Sequence, residues 1–479
     1  MIRIEVVKII CDIMKLALIS LDRSGGNPPL GLAYIAAYLR KYNNFSDTVI
    51  IDKEDPIKAV KKSKPDLIGI SAVTTEFPDA IELAKNIKST FDLPTIVGGV
   101  HISALPQSLP EVFDVGVMGE GEKTVSELVE NFEKTGELKN KEINGLVFKE
   151  GNNVAITKSR EPIDNLDTIP FPARDLLKMK EYYLKPRVMP FSTELSIGTH
   201  MLTSRGCPYR CVYCSSAGFW KGVRYNSPEY VVEEMKTLLD NFKLDMICLF
   251  DDLFVANKKR LEQIVSLIEK EKINEKIRFT SYARTNLLDD ETCQLLKRMN
   301  IISLSFGFES GSQKILGYLK RNTVTVEQNK TAIDLCRKHG FFATGNFMLG
   351  NPFETKEDLE MTYNFLKDNP TEELTISKTT PFPNTELWEY AKERNIVSDS
   401  MDWKKLKTGN FNEIFLSEHL TKDDIQEYCK KIEPEMVKSR KFFKFKLRYL
   451  LSPNLMKRAF KRRDVVWKLL KVKLKSVVK

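Results

Sequence analysis

Three cysteines, Cys207, Cys211 and Cys214, fall within eight residues of the run Thr203-Ser204-Arg205-Gly206-Cys207-Pro208-Tyr209-Arg210-Cys211-Val212-Tyr213-Cys214. No other feature restricts the fold as much, because one loop must present all three thiols to one object. Three thiolates at this C-x3-C-x2-C spacing can hold three corners of a cubic 4Fe-4S cluster, which ordinarily takes four cysteines. The fourth iron is then open to bind a small molecule and hand it an electron. Two readings compete with this one. A structural zinc site takes four ligands, commonly in two spaced pairs, and His200 is the nearest fourth candidate. A disulfide framework fits less well, since three crowded cysteines cannot pair evenly. Cys11, Cys248, Cys293, Cys336 and Cys429 are scattered singly, mostly in apolar or helical context, as buried reduced thiols are. With no signal peptide in the sequence, that usage predicts a reducing cytoplasm.

Downstream of the cysteines, short apolar runs alternate with amphipathic stretches, the pattern of parallel βα units. The runs predict strands at Thr199–Thr203, Met246–Phe250, Ile277–Tyr282, Ile302–Phe306, Ala343–Leu349 and Leu374–Lys378, with helices such as Tyr230–Phe242 and Lys258–Lys270 between them. Six units predict a partial barrel, with functional residues at the C-terminal ends of its strands. Upstream, strands are expected at Lys15–Leu21, Thr48–Asp52, Leu67–Ala72, Thr95–Val97 and Val115–Met118. They predict a doubly wound sheet with a ligand crevice at its strand ends. No G-x-G-x-x-G is present, which leaves nicotinamide or flavin binding without support. Residues 1–14 are apolar and allow either an extra strand or an upstream start of no consequence. Between the two blocks, Pro162, Pro170 and Pro172 mark a connector, since proline restricts the backbone and removes a donor.

The cysteine run, preceded by Arg-Gly-Cys-Pro and with Tyr213 before its last cysteine, resembles the signature of the radical S-adenosylmethionine (AdoMet, SAM) superfamily. The resemblance implies that Cys207, Cys211 and Cys214 hold the 4Fe-4S cluster. Its open iron would chelate AdoMet, and Tyr213 would pack near the adenine. Phe250-Asp251-Asp252 departs from the Gly-Gly-Glu run of much of the superfamily and is similar to the x-Asp-Asp version of cobalamin-linked members. Asp251, Asp252, Arg284, Glu309 and Ser310 are the implied AdoMet contacts, and Gly345–Pro352 resembles the adenine-side strand. In Phe382-Pro383-Asn384-Thr385 an asparagine stands where relatives often show glycine.

In the first block, Pro-Pro-Leu-Gly-Leu-Ala near the start, Gly98-Gly99-Val100-His101 and Met118-Gly-Glu-Gly-Glu-Lys-Thr resemble the cobalamin-binding half of B12-dependent (class B) radical SAM enzymes. The implied cobalamin contacts are Ser71, Thr74, Gly98, Gly99 and His101. The Asp-x-His-x-x-Gly loop that supplies a lower histidine ligand elsewhere is absent, so the cobalt is expected to lack a histidine from this chain. Read as plain chemistry, His101 is a hydrogen-bonded core histidine and Gly98-Gly99 a tight turn. Asp251 and Asp252 could equally cap a helix, and Glu309 could be a buried ion-pair partner.

The expected architecture is therefore α/β. A Rossmann-like cobalamin-binding domain (1–140) is followed by a connector (141–195), a partial (β/α)6 TIM-barrel radical SAM core (196–410) and a helical C-terminal region with a basic tail (411–479). The implied activity is methylation of an unactivated carbon through cobalamin. Ring closure, rearrangement or another oxidoreductase reaction without methyl transfer is the alternative, and a non-catalytic B12/SAM-binding regulator the second. Implied partners are a small-molecule or lipid-like substrate and an external electron donor of the flavodoxin or ferredoxin type.

From Val437 to Lys479 the sequence carries 11 Lys and 5 Arg against Asp464 alone. A chain of net charge +9 thus divides into a mildly acidic body and a strongly basic tail. Phe442, Phe443, Phe445, Tyr449, Leu450 and Trp467 lie among those cations. Cations with aromatics and leucines describe a segment that lies on an anionic leaflet, which predicts peripheral contact at the inner face of the membrane. Packing of the tail on the barrel competes equally, whereas nucleic acid is disfavoured by the apolar content. No run approaches the roughly 20 apolar residues that cross a bilayer.

Overall fold

The computed structural model describes residues 14–21, 26–45, 47–185, 187–188, 195–407 and 414–438. The N-terminal stretch up to residue 13 and the basic tail after residue 438, with the expectations placed on them, lie outside the described residues.

β1 (Leu16–Ser20), β2 (Thr48–Ile51), β3 (Leu67–Ser71), β4 (Thr95–Gly98) and β5 (Val115–Val117) are short, buried and mostly Val, Ile or Leu. Continuous apolar runs of that kind belong to parallel strands covered on both faces. They pair in parallel in the order β2-β1-β3-β4-β5. The helices Leu30–Tyr42 and Gly121–Thr135 cover one face and Phe77–Phe91 the other. Strand order reverses at β1/β3, which opens a crevice at the strand C-termini.

The sheet does not stop at residue 140. β6 (Leu146–Glu150) and β7 (Asn153–Ile156), in the stretch read from sequence as connector with no strands, form a hairpin that continues it antiparallel from β5. The two residues between them, Gly151-Asn152, are a hairpin turn pair. The rest of the connector lies on both domains: the amide of Ala173 donates to the carbonyl of Ala33 (3.0 Å), and the Tyr230 hydroxyl to that of Ile169 (3.0 Å).

Two short strands, β8 (Arg187–Val188) and β9 (Leu195–Ser196), pair antiparallel ahead of the barrel. The barrel strands are β10 (Gly198–Met201), β13 (Met246–Leu249), β14 (Arg278–Ala283), β15 (Ile301–Glu309), β16 (Phe342–Leu349) and β17 (Glu373–Lys378). All are parallel, in sequence order, with β10 and β17 at the edges. Between β10 and β13, β11 (Ser204–Arg205) and β12 (Arg224–Tyr225) form an antiparallel ribbon. Side chains alternate as the pleat requires. Leu249, Phe279, Phe306 and Phe347 face the helices and are buried, whereas Cys248, Thr280, Ser305 and Asn346 alternate with them on the other face and are half-buried. Barrel interiors are usually filled by branched aliphatics; this one is polar and suits a ligand better than a packed core.

The chain after the barrel returns to the first domain. Trp403 and Leu406 join its core, and Lys404 pairs with Asp79 (2.7 Å). The helix Lys422–Lys438 then docks on the barrel helix Lys356–Asp368, where Lys356 pairs with Asp424 (2.8 Å) and Tyr428 donates to Glu360 (2.8 Å).

Candidate functional site

The cysteine loop leaves β11 through Gly206, whose φ is +88°. A Cβ there would lie 1.9 Å from the carbonyl oxygen of Gly222, so no side chain is accommodated. Cys207, Cys211 and Cys214 follow, all free and half-buried. The barrel pins the loop at its centre: the Val212 amide donates to the carbonyl of Leu319 (3.0 Å), and the Leu387 amide to the carbonyl of Val212 (3.2 Å). Burial pushes the Cys207 thiol up and that of Cys214 to about 11. Those two bare thiols stay protonated, and loading with iron must displace their protons. Among the described residues no three His, Cys, Asp or Glu side chains close around a point as a lone metal ion requires. A cubane, which spaces its ligating sulfurs more widely, suits three thiols spread along a loop.

Around the loop stand several of the expected residues. Arg284 donates from Nη1 to the Cys211 sulfur (3.3 Å) and stacks 3.8 Å over the Tyr209 ring, while its buried Nε has no hydrogen-bond partner. Tyr213 is directed inward rather than to the loop surface, and its hydroxyl donates to Glu309 Oε1 (2.6 Å). Burial raises the Tyr213 phenol well above its usual value. Glu309 itself has φ +63° at a register shift between β15 and β16, and Lys320 pairs with it at 3.2 Å. Gly307 makes the room, since a Cβ there would lie 2.1 Å from Glu309 Oε1. Asp252 is exposed beside the cysteines, where it accepts from the Ser216 hydroxyl (2.5 Å).

Three expected contacts are placed differently. Asp251 is 1% exposed and accepts from the Thr203 amide (2.9 Å), the Thr203 hydroxyl (3.0 Å) and the Ser204 hydroxyl. It braces the strand that leads to the cysteines from behind. Ser310 is fully buried, bonded to the Thr362 hydroxyl (3.1 Å) and to the Ser312 amide (3.1 Å). His101 is also fully buried, its ring 3.9 Å from Phe77 and 4.8 Å from Trp403, with Nε2 3.2 Å from the Ser108 hydroxyl. Burial lowers its pKa to about 4. Two aromatics and one hydroxyl thus surround the imidazole, the setting of a hydrogen-bonded core histidine.

On the first-domain side, the loops after β3, β4 and β5 border a cleft of about 360 Å3. Thr74 lines it, with Val73 and Val100 unusually exposed at 46% and 38%. Ser71 ends β3 beside it, half-buried. Gly98 meets nothing closer than 3.8 Å at its Cβ position, leaving bare backbone with space beside it. Gly99 is required by the fold. Its φ is +110° and a Cβ would lie 2.4 Å from the Ala72 carbonyl oxygen, so it lets two loops touch. The opposite wall comes from the barrel: Ser215 and Gly218, just after Cys214, together with Lys221 and Asn384. Asn384 takes φ +64°, which asparagine tolerates, and its amide fills the space over Gly218. The cleft therefore has one wall from the sheet domain and one from the cysteine loop.

Reasoning from sequence missed the charges between those walls. Arg205, Arg224, Glu120 and Glu122 form a buried ion cluster across the domain boundary. Arg205, Glu120 and Glu122 fall in the two motif runs and Arg224 in neither, and nothing local pairs residues that far apart in sequence.

Known proteins match this chain in the same two parts. Residues 19–129 match the B12 binding domain family and residues 201–366 the Radical SAM superfamily. An uncharacterized methyltransferase, PH0819, of Pyrococcus horikoshii is 35% identical over 84% of this chain and 86% of its own length. Among solved structures, the radical S-adenosylmethionine methyltransferase TsrM of Kitasatospora setae, with cobalamin and a 4Fe-4S cluster bound, aligns with TM-score 0.66 at 18% identity, over 80% of this chain and 75% of that one. The cobalamin-dependent S-adenosylmethionine radical enzyme OxsB aligns with TM-score 0.71 at 19% identity, over 88% and 66%.

Proposed function

This chain belongs to the radical SAM enzymes that carry a B12 binding domain, and on that premise we propose that it methylates an unactivated carbon of a small-molecule or lipid-like substrate. The observation that carries the reading is the shared cleft: residues directly after Cys214 and the strand-end loops of the first domain face the same space. Cys207, Cys211 and Cys214 would hold a 4Fe-4S cluster, and the loops at Ser71, Thr74 and Gly98 would seat cobalamin against Val73 and Val100. When bound, the cluster supplies the electron that splits AdoMet, and cobalamin the methyl group.

The chain's own residues bind and orient. Exposed Asp252 would meet the AdoMet amino group, and Arg284 its carboxylate. Tyr213 and Glu309, joined by a hydrogen bond and balanced by Lys320, hold the floor under the cysteines. Phe250 and Tyr282, 41% and 38% exposed with ring centroids 5.6 Å apart, stand over the polar strand faces as an apolar wall for substrate. An external flavodoxin- or ferredoxin-type donor would supply electrons, and the basic tail would touch the inner face of the membrane.

Anaerobically reconstituted protein given AdoMet, cobalamin and a low-potential reductant should release 5′-deoxyadenosine. It should also move a labelled methyl group into an acceptor from a cell extract. 5′-Deoxyadenosine without any methylated product ends the methyltransferase reading.

A further inference from the structure

Arg205 directly precedes Gly206 and sits opposite Arg224 on the β11–β12 ribbon. Two adjacent guanidinium groups are thereby held at the base of the cysteine loop. They do not repel the ribbon apart, because two carboxylates from the other domain meet them. Arg205 Nη2 donates to Glu122 Oε1 (2.5 Å), and its Nη1 lies 3.4 Å from Glu120 Oε1. Arg224 pairs with both oxygens of Glu120 and donates to the carbonyl of Ile163 (2.6 Å). The side chains of Arg205, Glu120 and Glu122 are 9%, 9% and 5% exposed. Tyr34 and Trp220 lie 5.5 and 5.6 Å from the Arg205 guanidinium and close it off from water.

The cluster joins the two walls of the cleft. Glu120 and Glu122 stand at the N-terminus of the helix Gly121–Thr135, where carboxylates are favoured by the helix dipole. Glu120 borders the cleft, as does Arg224. Arg205 is two residues from Cys207, with the sterically locked Gly206 between them, so movement of its guanidinium is transmitted to the first ligand of the cluster. A buried ion cluster adds little net stability over apolar packing, but it can impose one register. The planar fork of arginine fixes two partners at once, which a lysine ammonium cannot do.

We propose that Arg205 is a positioning residue: gripping Glu120 and Glu122, it fixes the cysteine loop to the first-domain lip of the cleft, so that the group held by the cysteines and the group held in the cleft keep a single separation. This rests on the proposed function only for the identity of those two groups, and its test needs no methyl transfer.

Full-length protein is loaded with a 4Fe-4S cluster and cob(II)alamin, the cluster is reduced, and electron paramagnetic resonance reads the magnetic interaction between the two centres. Wild-type protein should show a resolved interaction. R205K keeps a cation in the cluster but loses the fork that reaches both carboxylates. E120Q removes one carboxylate and keeps its shape. Both variants should retain iron and cobalt per chain while the resolved interaction collapses into a spread of separations. An unchanged interaction in a loaded R205K or E120Q protein overturns the proposal, as does the absence of any interaction in the wild type. Loss of iron from both variants also overturns it, because the residues would then serve cluster retention rather than spacing.

Discussion

Glu354 lies in the turn after β16, where one carboxylate oxygen accepts from the amides of Gly350 (2.7 Å) and Asn351 (3.1 Å). It is fully buried, and desolvation outweighs those bonds, so its pKa rises from 4.5 to about 7. The folded chain therefore keeps a proton that the unfolded chain gives up above pH 4.5. The stability this contributes is whole below pH 4.5 and is lost as pH climbs through 7, on the order of 3 kcal/mol. His101 works in the opposite sense. Lowered to about 4 from 6.5, it is stabilising above pH 6.5 and costs stability as pH falls toward 4. The two slopes oppose one another between pH 4.5 and 6.5, and only a variant separates them. E354Q keeps an acceptor oxygen but cannot ionise, so the thermal midpoint of cofactor-free E354Q should gain on wild type between pH 5 and pH 8. A constant difference across that range would show that the Glu354 carboxyl does not titrate there.

The cysteine loop as an element depends on Gly206 more than on any hydrogen bond. A side chain would meet the Gly222 carbonyl at 1.9 Å and a φ of +88°, which combines a steric clash with left-handed strain of about 1–3 kcal/mol. G206A should reconstitute with well under a full complement of iron while its circular dichroism stays native. G136A is the control. Its φ is +73° at the end of the helix Gly121–Thr135, but nothing lies within 4 Å, so it should lose about 1 kcal/mol and no iron. A full complement of iron in G206A would refute the locking role. The cysteine spacing and the strand–helix alternation were legible in the sequence because both are local: β13, β14, β16 and β17 formed within a residue or so of their expected bounds. What could not be read were facts of long range. His101 follows a glycine pair beside the cleft, yet its ring is caged by Phe77 and by Trp403, about three hundred residues away. Asp251 and Ser310 lie in the right motifs, but which partner each oxygen meets depends on neighbouring elements: the segment at Thr203 for Asp251, the helix residue Thr362 for Ser310. Only Asp252, by its exposure, is left facing outward.

At the scale of the whole molecule, the described body ends with the helix Lys422–Lys438 anchored through Ile425 and Ile432 in the barrel core. Residues 439–479 begin from that fixed point, and apart from Asp464 their only charges are cationic. Among the described residues no helix is long and apolar enough to cross a bilayer, so attraction of the tail to lipid would act through its charges and its interspersed aromatics. Each lysine or arginine near an anionic surface contributes about 1 kcal/mol, and the attraction weakens as salt shortens the Debye length. A net acidic body is itself repelled by the same surface, which leaves the tail as the segment that decides. Full-length protein should therefore sediment with vesicles containing phosphatidylserine at low salt and come off at high salt, while remaining in solution with phosphatidylcholine alone. A chain ending at Glu435 should stay in solution with both. Sedimentation of the shortened chain equal to that of the full chain would assign the attraction to the body and end the membrane role of the tail.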